Sequence, residues 1–141
     1  MTNLAGQWKY QSYRPDPVNV AADPTPPKFV VWSPPGVVTI DACGTTGNLV
    51  FPTKPLLKLD LKIQVIDGKP ERVSISAVMN LSPTKKFTNE LQGFLVPATS
   101  GPIDNATPLV VRGSIVLTSE DIDPTTPQPL HTTGFFVLEP V

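Results

Sequence analysis

The chain has 141 residues with 12 acidic and 11 basic side chains, so its formal net charge is −1. Its 18 prolines and 9 glycines make up about 19% of the residues, against an average near 12%. Because proline removes a helix donor and clashes with the preceding turn, this content argues against a mostly helical protein. The hydrophobic fraction is 40%, which argues against disorder.

Charge and cysteine content bear on partners and compartment. No basic patch or arm is visible, so the electrostatic signature of nucleic-acid binding is missing. No stretch approaches the roughly 18 uninterrupted apolar residues of a membrane-spanning helix. We therefore expect neither a nucleic-acid nor a membrane partner. The N-terminal residues lack the pattern of a secretory leader and Cys43 is the only cysteine, so we expect a cytoplasmic protein without disulfides.

Polar and apolar residues alternate close to the N-terminus. Residues 6–14 place Trp8, Tyr10 and Ser12 on one face, which predicts a half-buried β-strand. A proline-rich segment follows over residues 15–35, with seven prolines in 21 residues. It is too long for an ordinary hairpin turn and too stiff for a loose linker, so we expect a loop or lid between the first two strands.

Two further strands are predicted at residues 37–42 and 48–51, on either side of a glycine-punctuated turn. In the first of them, one alternate set contains Asp41 and the other is wholly apolar. We favour the apolar set as the inward face, namely Val38, Ile40 and Ala42.

The clearest alternation runs over residues 57–65 and then 72–79. The Asp-Gly dipeptide between them is typical of a two-residue turn, but that register places apolar residues opposite polar ones. A three-residue loop over residues 66–68 instead pairs Leu61 with Val73 and keeps the apolar residues on one face. We therefore predict the three-residue loop, with its glycine in the left-handed bulge position.

Residues 86–96 fit two patterns. Phe87 and Leu91 have the spacing of one helix face, but alternate residues of the segment also share one face of a strand. We favour the strand because every neighbouring segment has a strand pattern. Strands at 109–118 and 132–139 complete a set of eight.

The order of these strands indicates the fold class. Parallel strands need long crossover connections, which the chain lacks. We predict a single all-β domain over residues 1–141, folded as an antiparallel up-and-down eight-stranded β-barrel, since closure removes exposed strand edges.

The first strand carries a Gly-x-Trp motif at residues 6–8. In this it resembles the calycin barrels, which include the lipocalins and avidins. The lipocalin tryptophan closes one end of the barrel and a late-strand arginine packs across it, so the resemblance implies that Trp8 and Arg112 close one end. The chain is also similar to small bacterial stand-alone barrels of unassigned function, which open with G-x-W-x-Y-x-S and later carry G-[FY]-L-V-P, here residues 93–97. Secreted lipocalins have leaders and usually disulfides, and we expect neither in this protein.

An eight-stranded barrel is either filled by side chains or just wide enough for one small ligand. We expect any ligand site to lie inside the barrel or at its mouth. For Trp32 the alternatives are a lid over the mouth and a contact that pins its loop to the wall. The predicted ligand-binding residues are Tyr10, Ser12, Trp32, Leu61, Ile75, Asn89, Leu91 and Val111.

Few residues suggest covalent or metal chemistry. His131 is the only histidine, and nothing in the spacing pairs it with Cys43. The acidic cluster at residues 120–123 lacks the pattern of a calcium loop, and no zinc set can be completed. We therefore assign no catalytic residue and expect neither a metal nor a cofactor. Phosphate-loop, G-x-S-x-G and H-E-x-x-H motifs are missing as well.

Three functions follow from this scaffold. The first is binding of a small, largely apolar molecule in the barrel. The second is a cyclase or isomerase that folds a flexible, polyketide-like substrate into a reactive shape by proximity. The third is a structural module with a filled barrel, for example a homodimer. A cavity with inward polar residues favours the first two, and a large apolar outer patch favours the third.

Overall fold

The computed structural model describes residues 1–15, 29–82, 85–99, 103–104, 106–118 and 132–141. Within these ranges the chain forms nine β-strands and no helix, as the proline content predicts. The strand interpretation of residues 86–96 is confirmed. The strands are β1 (Gly6–Pro15), β2 (Phe29–Val31), β3 (Gly36–Ile40), β4 (Thr46–Phe51), β5 (Lys54–Ile66), β6 (Arg72–Ser82), β7 (Lys85–Pro97), β8 (Leu109–Thr118) and β9 (Thr132–Pro140).

The sheet closes on itself. From β3 to β9 each strand pairs antiparallel with the next, and β1 pairs with β3 on one side and with β9 on the other. The eight strands β1 and β3–β9 therefore form the predicted up-and-down barrel. Sequence neighbours are also neighbours in space, so the long crossovers that the sequence lacks are not needed.

The short strand β2 and the strand β3 pair with successive parts of β1, on the same side of it. Tyr10 pairs with Gly36 and Tyr13 pairs with Val31, so the four residues 32–35 face only two residues of β1. The strand beside β1 is thus interrupted by a bulge at two prolines, which cannot donate to the ladder. Of the predicted loop or lid at residues 15–35, the part from 16 to 28 lies outside the described residues.

The connection between β5 and β6 corrects one prediction. Val73 pairs with Val65 rather than Leu61, and the loop spans the five residues 67–71 instead of three. The loop glycine is not among the glycines with positive φ. The three-residue loop would have put Pro70 into the ladder, where it has no N–H to donate. The observed register keeps the same apolar residues on the inner face.

Alternate residues of each strand fill the barrel interior. In β3, Val38 and Ile40 are buried and Asp41 is exposed beyond the strand end, which confirms the predicted inward face for the strand itself. Ala42 belongs to the following turn and is exposed, so its inclusion in that face was wrong.

Phe136 fills the middle of the barrel. It is 1% exposed and pairs with Gly113, which in turn pairs with Gly93. A Cβ atom on Gly93 would lie 3.2 Å from the Phe136 ring and 2.7 Å from a main-chain oxygen of β8. Small residues on two neighbouring strands therefore make room for one large ring, a common solution in small barrels.

The N-terminal residues cover the end of the barrel where β1 begins. Leu4 is 1% exposed, and its carbonyl accepts a hydrogen bond of 2.8 Å from the Trp8 indole N–H. Thr2 donates from its main-chain N–H and its hydroxyl to the Glu71 carboxylate, each at 2.8 Å. These two hydrogen bonds lower the pKa of Glu71 below its usual value. We call this end the covered end.

Arg112 does not help to close the covered end, contrary to the prediction. Trp8 is partly buried against the core at this end. Arg112, however, is exposed on the outer face of β8, because the strand alternation turns its neighbour Val111 inward. Leu4, which no strand pattern includes, is buried at the covered end together with Trp8.

The central position of Phe136 generates a prediction with a neighbouring control. Phe136→Ala should lower the free energy of unfolding by about 3 to 5 kcal/mol, because it leaves a cavity in the core. Phe135→Ala removes a ring that is 49% exposed on the outer face and should cost roughly 1 kcal/mol or less. Urea unfolding followed by circular dichroism measures both. Equal losses would contradict this account of the core.

Candidate functional site

A cavity of about 410 Å³ lies at the opposite end of the barrel, where β4 ends and β5 begins. We call it the mouth cavity. Its volume falls within the range of small-molecule sites. It is open to solvent, and it is lined by Tyr10, Ser12, Trp32, Ser33, Pro34, Leu49, Phe51, Lys54, Leu57, Leu59, Met79, Phe87, Asn89, Ile115 and Leu117.

Below the mouth cavity the barrel is filled. The remaining void is about 20 Å³, roughly the room that one water molecule needs. Three predicted ligand-binding residues, Leu61, Ile75 and Leu91, line this void and not the mouth cavity. Val111 is fully buried and lines neither space. The other four predicted residues, Tyr10, Ser12, Trp32 and Asn89, come together at the mouth cavity.

A chain of hydroxyl groups runs along one wall of the mouth cavity. Tyr10 is 5% exposed, and its phenol is hydrogen-bonded to the Ser12 hydroxyl. The Ser12 oxygen lies 2.8 Å from the Ser33 hydroxyl oxygen. Gln11 donates to the Ser33 carbonyl at 2.8 Å, which fixes the bulge beside β1. These contacts tie the three hydroxyls to one another along the wall.

Burial sets the protonation state of Tyr10. The low-dielectric surroundings raise the pKa of its phenol above the usual 10.0, and the Ser12 hydroxyl only partly offsets this effect. The phenol is therefore neutral at physiological pH.

Asn89 occupies the base of the mouth cavity. Its side chain is half-buried and lines both the mouth cavity and the small void below. Within the described part of the chain its amide makes no hydrogen bond. An asparagine amide offers two donors and an acceptor with two lone pairs. This group is therefore free to bind a partner in the cavity.

Trp32 forms part of the cavity rim. Its main-chain N–H donates to the Ser12 carbonyl at 2.9 Å, which ties the interrupted strand to β1. Its ring packs over Gly134, where an added Cβ atom would lie 2.8 Å from two ring carbons. The ring is half-buried and contacts the core while it lines the cavity.

The sequence patterns missed much of the cavity lining. Leu57, Met79 and Phe87 lie on apolar faces that the alternation predicts, but they are not among the predicted ligand-binding residues. Ser33 and Pro34 reach the cavity through the bulge, and no periodic pattern indicates them.

Charged and reactive groups are sparse in the mouth cavity. Lys54 is the charged side chain of its described lining, and it is exposed. Cys43 is exposed in the β3–β4 turn, at the covered end. His131 and the acidic cluster at residues 120–123 lie outside the described residues. Among the side chains that the structure does describe, no group of three or more metal-binding types is placed to hold an ion.

The turn that holds Cys43 is organised by Asp41. The Asp41 carboxylate accepts hydrogen bonds from the Thr46 hydroxyl and from the Gly44 N–H. The Thr46 hydroxyl is the main cause that lowers the pKa of Asp41. Since this turn lies at the far end from the mouth cavity, its polar groups stabilise the turn and do not contribute to the site.

Comparison with known proteins adds no family. No protein family model, no curated protein and no solved structure matches the chain. The described residues also contain no helix with the length and apolar character to cross a membrane. The barrel architecture is thus confirmed by the structure, while the calycin assignment stays a prediction.

The raised pKa of Tyr10 predicts a pH dependence. Because the unfolded chain loses this proton at lower pH than the folded protein, the contribution of Tyr10 to stability is complete below about pH 10 and is lost as the pH rises through the folded pKa. Tyr10→Phe should therefore lessen the fall in stability at alkaline pH. Tyr13→Phe, in the same strand, should leave that fall unchanged.

Urea unfolding of the three proteins between about pH 8 and 11 measures this effect. An alkaline decline of the same size in wild type and Tyr10→Phe would contradict the assignment.

Proposed function

We propose that the protein binds a small, largely apolar molecule in the mouth cavity, in the manner of a calycin-like barrel. The observation that carries this proposal is the cavity of about 410 Å³ with mostly apolar walls above a filled core. Apolar side chains that line an open concave space gain free energy when a ligand displaces water from them.

The cavity volume limits the size of the ligand. A cavity of about 150 Å³ holds benzene, so the mouth cavity is large enough for a molecule of about 10 to 20 non-hydrogen atoms. The filled core below prevents a long chain from passing through the barrel. A compact ring compound fits this shape better than an extended chain does.

The cavity walls differ in character around the rim. Phe51, Leu57 and Phe87 contribute apolar surface from three strands, while Ser12 and Ser33 lie on the wall formed by β1 and the bulge. Tyr10 and Phe51 pack edge to face with ring centroids 6.3 Å apart, which makes the wall near the base rigid. A ligand would thus meet a pre-formed surface.

The cyclase or isomerase alternative would use the same cavity, and no residue is assigned to its chemistry.

The third hypothesis, self-association, is supported by a separate observation. Phe94 and Phe135 are each about half exposed and line one groove on the outer face with Arg112. Phe29 packs against Phe135 with ring centroids 5.2 Å apart. Exposed aromatic groups of this kind are typical of protein interfaces.

Two adjacent leucines in β5 provide a matched test of the mouth cavity. Leu57 lines the cavity, whereas Leu56 is 97% exposed. Leu57→Glu should weaken binding of an uncharged apolar probe by about tenfold or more, because it places a charge in the apolar wall. Leu56→Glu adds the same charge to the chain and should leave the affinity unchanged.

Fluorescence enhancement of phenylnaphthylamine measures the affinity, and circular dichroism checks that both variants fold. Failure of the wild type to bind the probe, or equal loss in both variants, would overturn the assignment of the mouth cavity.

Self-association has its own test. Under this reading, Phe94→Glu should shift the sedimentation velocity profile from dimer to monomer, because it places a charge in an apolar contact. A wild type that is monomeric at high concentration, or a variant that remains dimeric, would count against a homodimer through this face.

A further inference from the structure

The polar groups of the mouth cavity fall into two classes. The hydroxyls of Tyr10, Ser12 and Ser33 are bonded to one another. The amide of Asn89 is bonded to nothing in the described part of the chain. A polar group at the base of an apolar cavity that has no partner within the protein is available to a polar group of a ligand that enters the cavity. Asn89 therefore offers an unpaired donor and acceptor at the base of the mouth cavity.

A side-chain amide places a donor and an acceptor side by side in one plane. A ligand carbonyl alone would pair with the N–H and leave the amide oxygen of Asn89 unsatisfied, and a hydrocarbon would leave both unsatisfied. A carboxamide or lactam edge presents an acceptor next to a donor and satisfies both in a two-point contact.

The surroundings of Asn89 require an uncharged ligand group. Leu91 and Ile115 line the same small void at the base, and no carboxylate or cation of the described residues lines that void. Lys54, the charged residue of the mouth-cavity lining, is exposed. An ionised group brought to the base would lose its hydration without gaining a counter-charge.

We propose, resting on the proposed function, that the mouth cavity binds compact apolar ring compounds that carry an uncharged lactam or carboxamide edge, and that Asn89 pairs with this edge at the base. The ligand enters with its polar edge first. Its hydrocarbon body then contacts the apolar rim at Phe51, Leu57 and Phe87.

Three ligands of one shape test the proposal. Oxindole has a lactam edge, N-methyloxindole keeps the carbonyl but lacks the donor, and indane has neither. Titrations followed by NMR should show that the full-length wild type binds oxindole about tenfold more tightly than indane, with N-methyloxindole between them. The side-chain NH₂ signals of Asn89 should shift with oxindole but not with indane.

Two variants of β7 complete the design. Asn89→Leu should reverse the order of the affinities, so that indane binds more tightly than oxindole. The substitution replaces the unpaired amide with an apolar side chain, which cannot pair with the lactam edge. Gln92→Leu makes a similar change on the outer face of the same strand and should keep the wild-type order. The amide spectrum of each variant verifies its fold.

The outcomes separate the two proposals. Equal affinity of wild type for oxindole and indane, or an unchanged order in Asn89→Leu, would overturn the role of Asn89 while phenylnaphthylamine binding still supported an apolar site. If the wild type bound neither phenylnaphthylamine nor any of the three ring compounds, the proposed function itself would be overturned.

Discussion

Backbone pairing between β1 and β9 is the interaction on which the rest of the structure depends. Six residues of β1, from Trp8 to Tyr13, pair with β9 and close the sheet. Closure satisfies the main-chain groups that an open sheet would expose at these two edges. It also fixes which side chains point inward, because successive residues of a strand alternate between the faces. The packed interior follows from that alternation, whereas the covered end depends on the residues before β1 and the mouth cavity includes residues of the bulge.

Along the barrel axis, the size of the inward residues decides where the interior is filled. Phe136 over Gly93 and Gly113 occupies the middle, and the N-terminal residues cover one end. Towards the other end the bulge at residues 32–35 moves the wall beside β1 and opens the mouth. One half of the barrel therefore supplies stability and the other half supplies space. This division lets a small protein keep a close-packed core and still have an open cavity at one end.

Much of this fold can be predicted from the alternation of polar and apolar residues. This alternation shows both where a strand lies and which of its faces is buried. The register between β5 and β6 was wrong because the apolar pattern repeats every two residues, so two registers satisfy it equally. Pro70 distinguishes them, since it has no N–H for the ladder. Of the candidate site, Tyr10, Ser12 and Asn89 could be found by their polar character on inward faces. The contribution of Ser33 could not, because a bulge breaks the pattern that would place it.

Whether an inward polar residue belongs to the fold or to the site depends on its partners. Ser12 is the buried polar residue of the core, and its hydroxyl is bonded to both Tyr10 and Ser33. Removing one member of such a chain takes a hydrogen bond from its neighbour, so these groups contribute to stability. Asn89 has no such partner among the described residues, and it lines the small void together with Leu91. An amide at this position therefore contributes no hydrogen bond to the described part of the fold, which is why it is the group of the mouth cavity that we propose to contact a ligand.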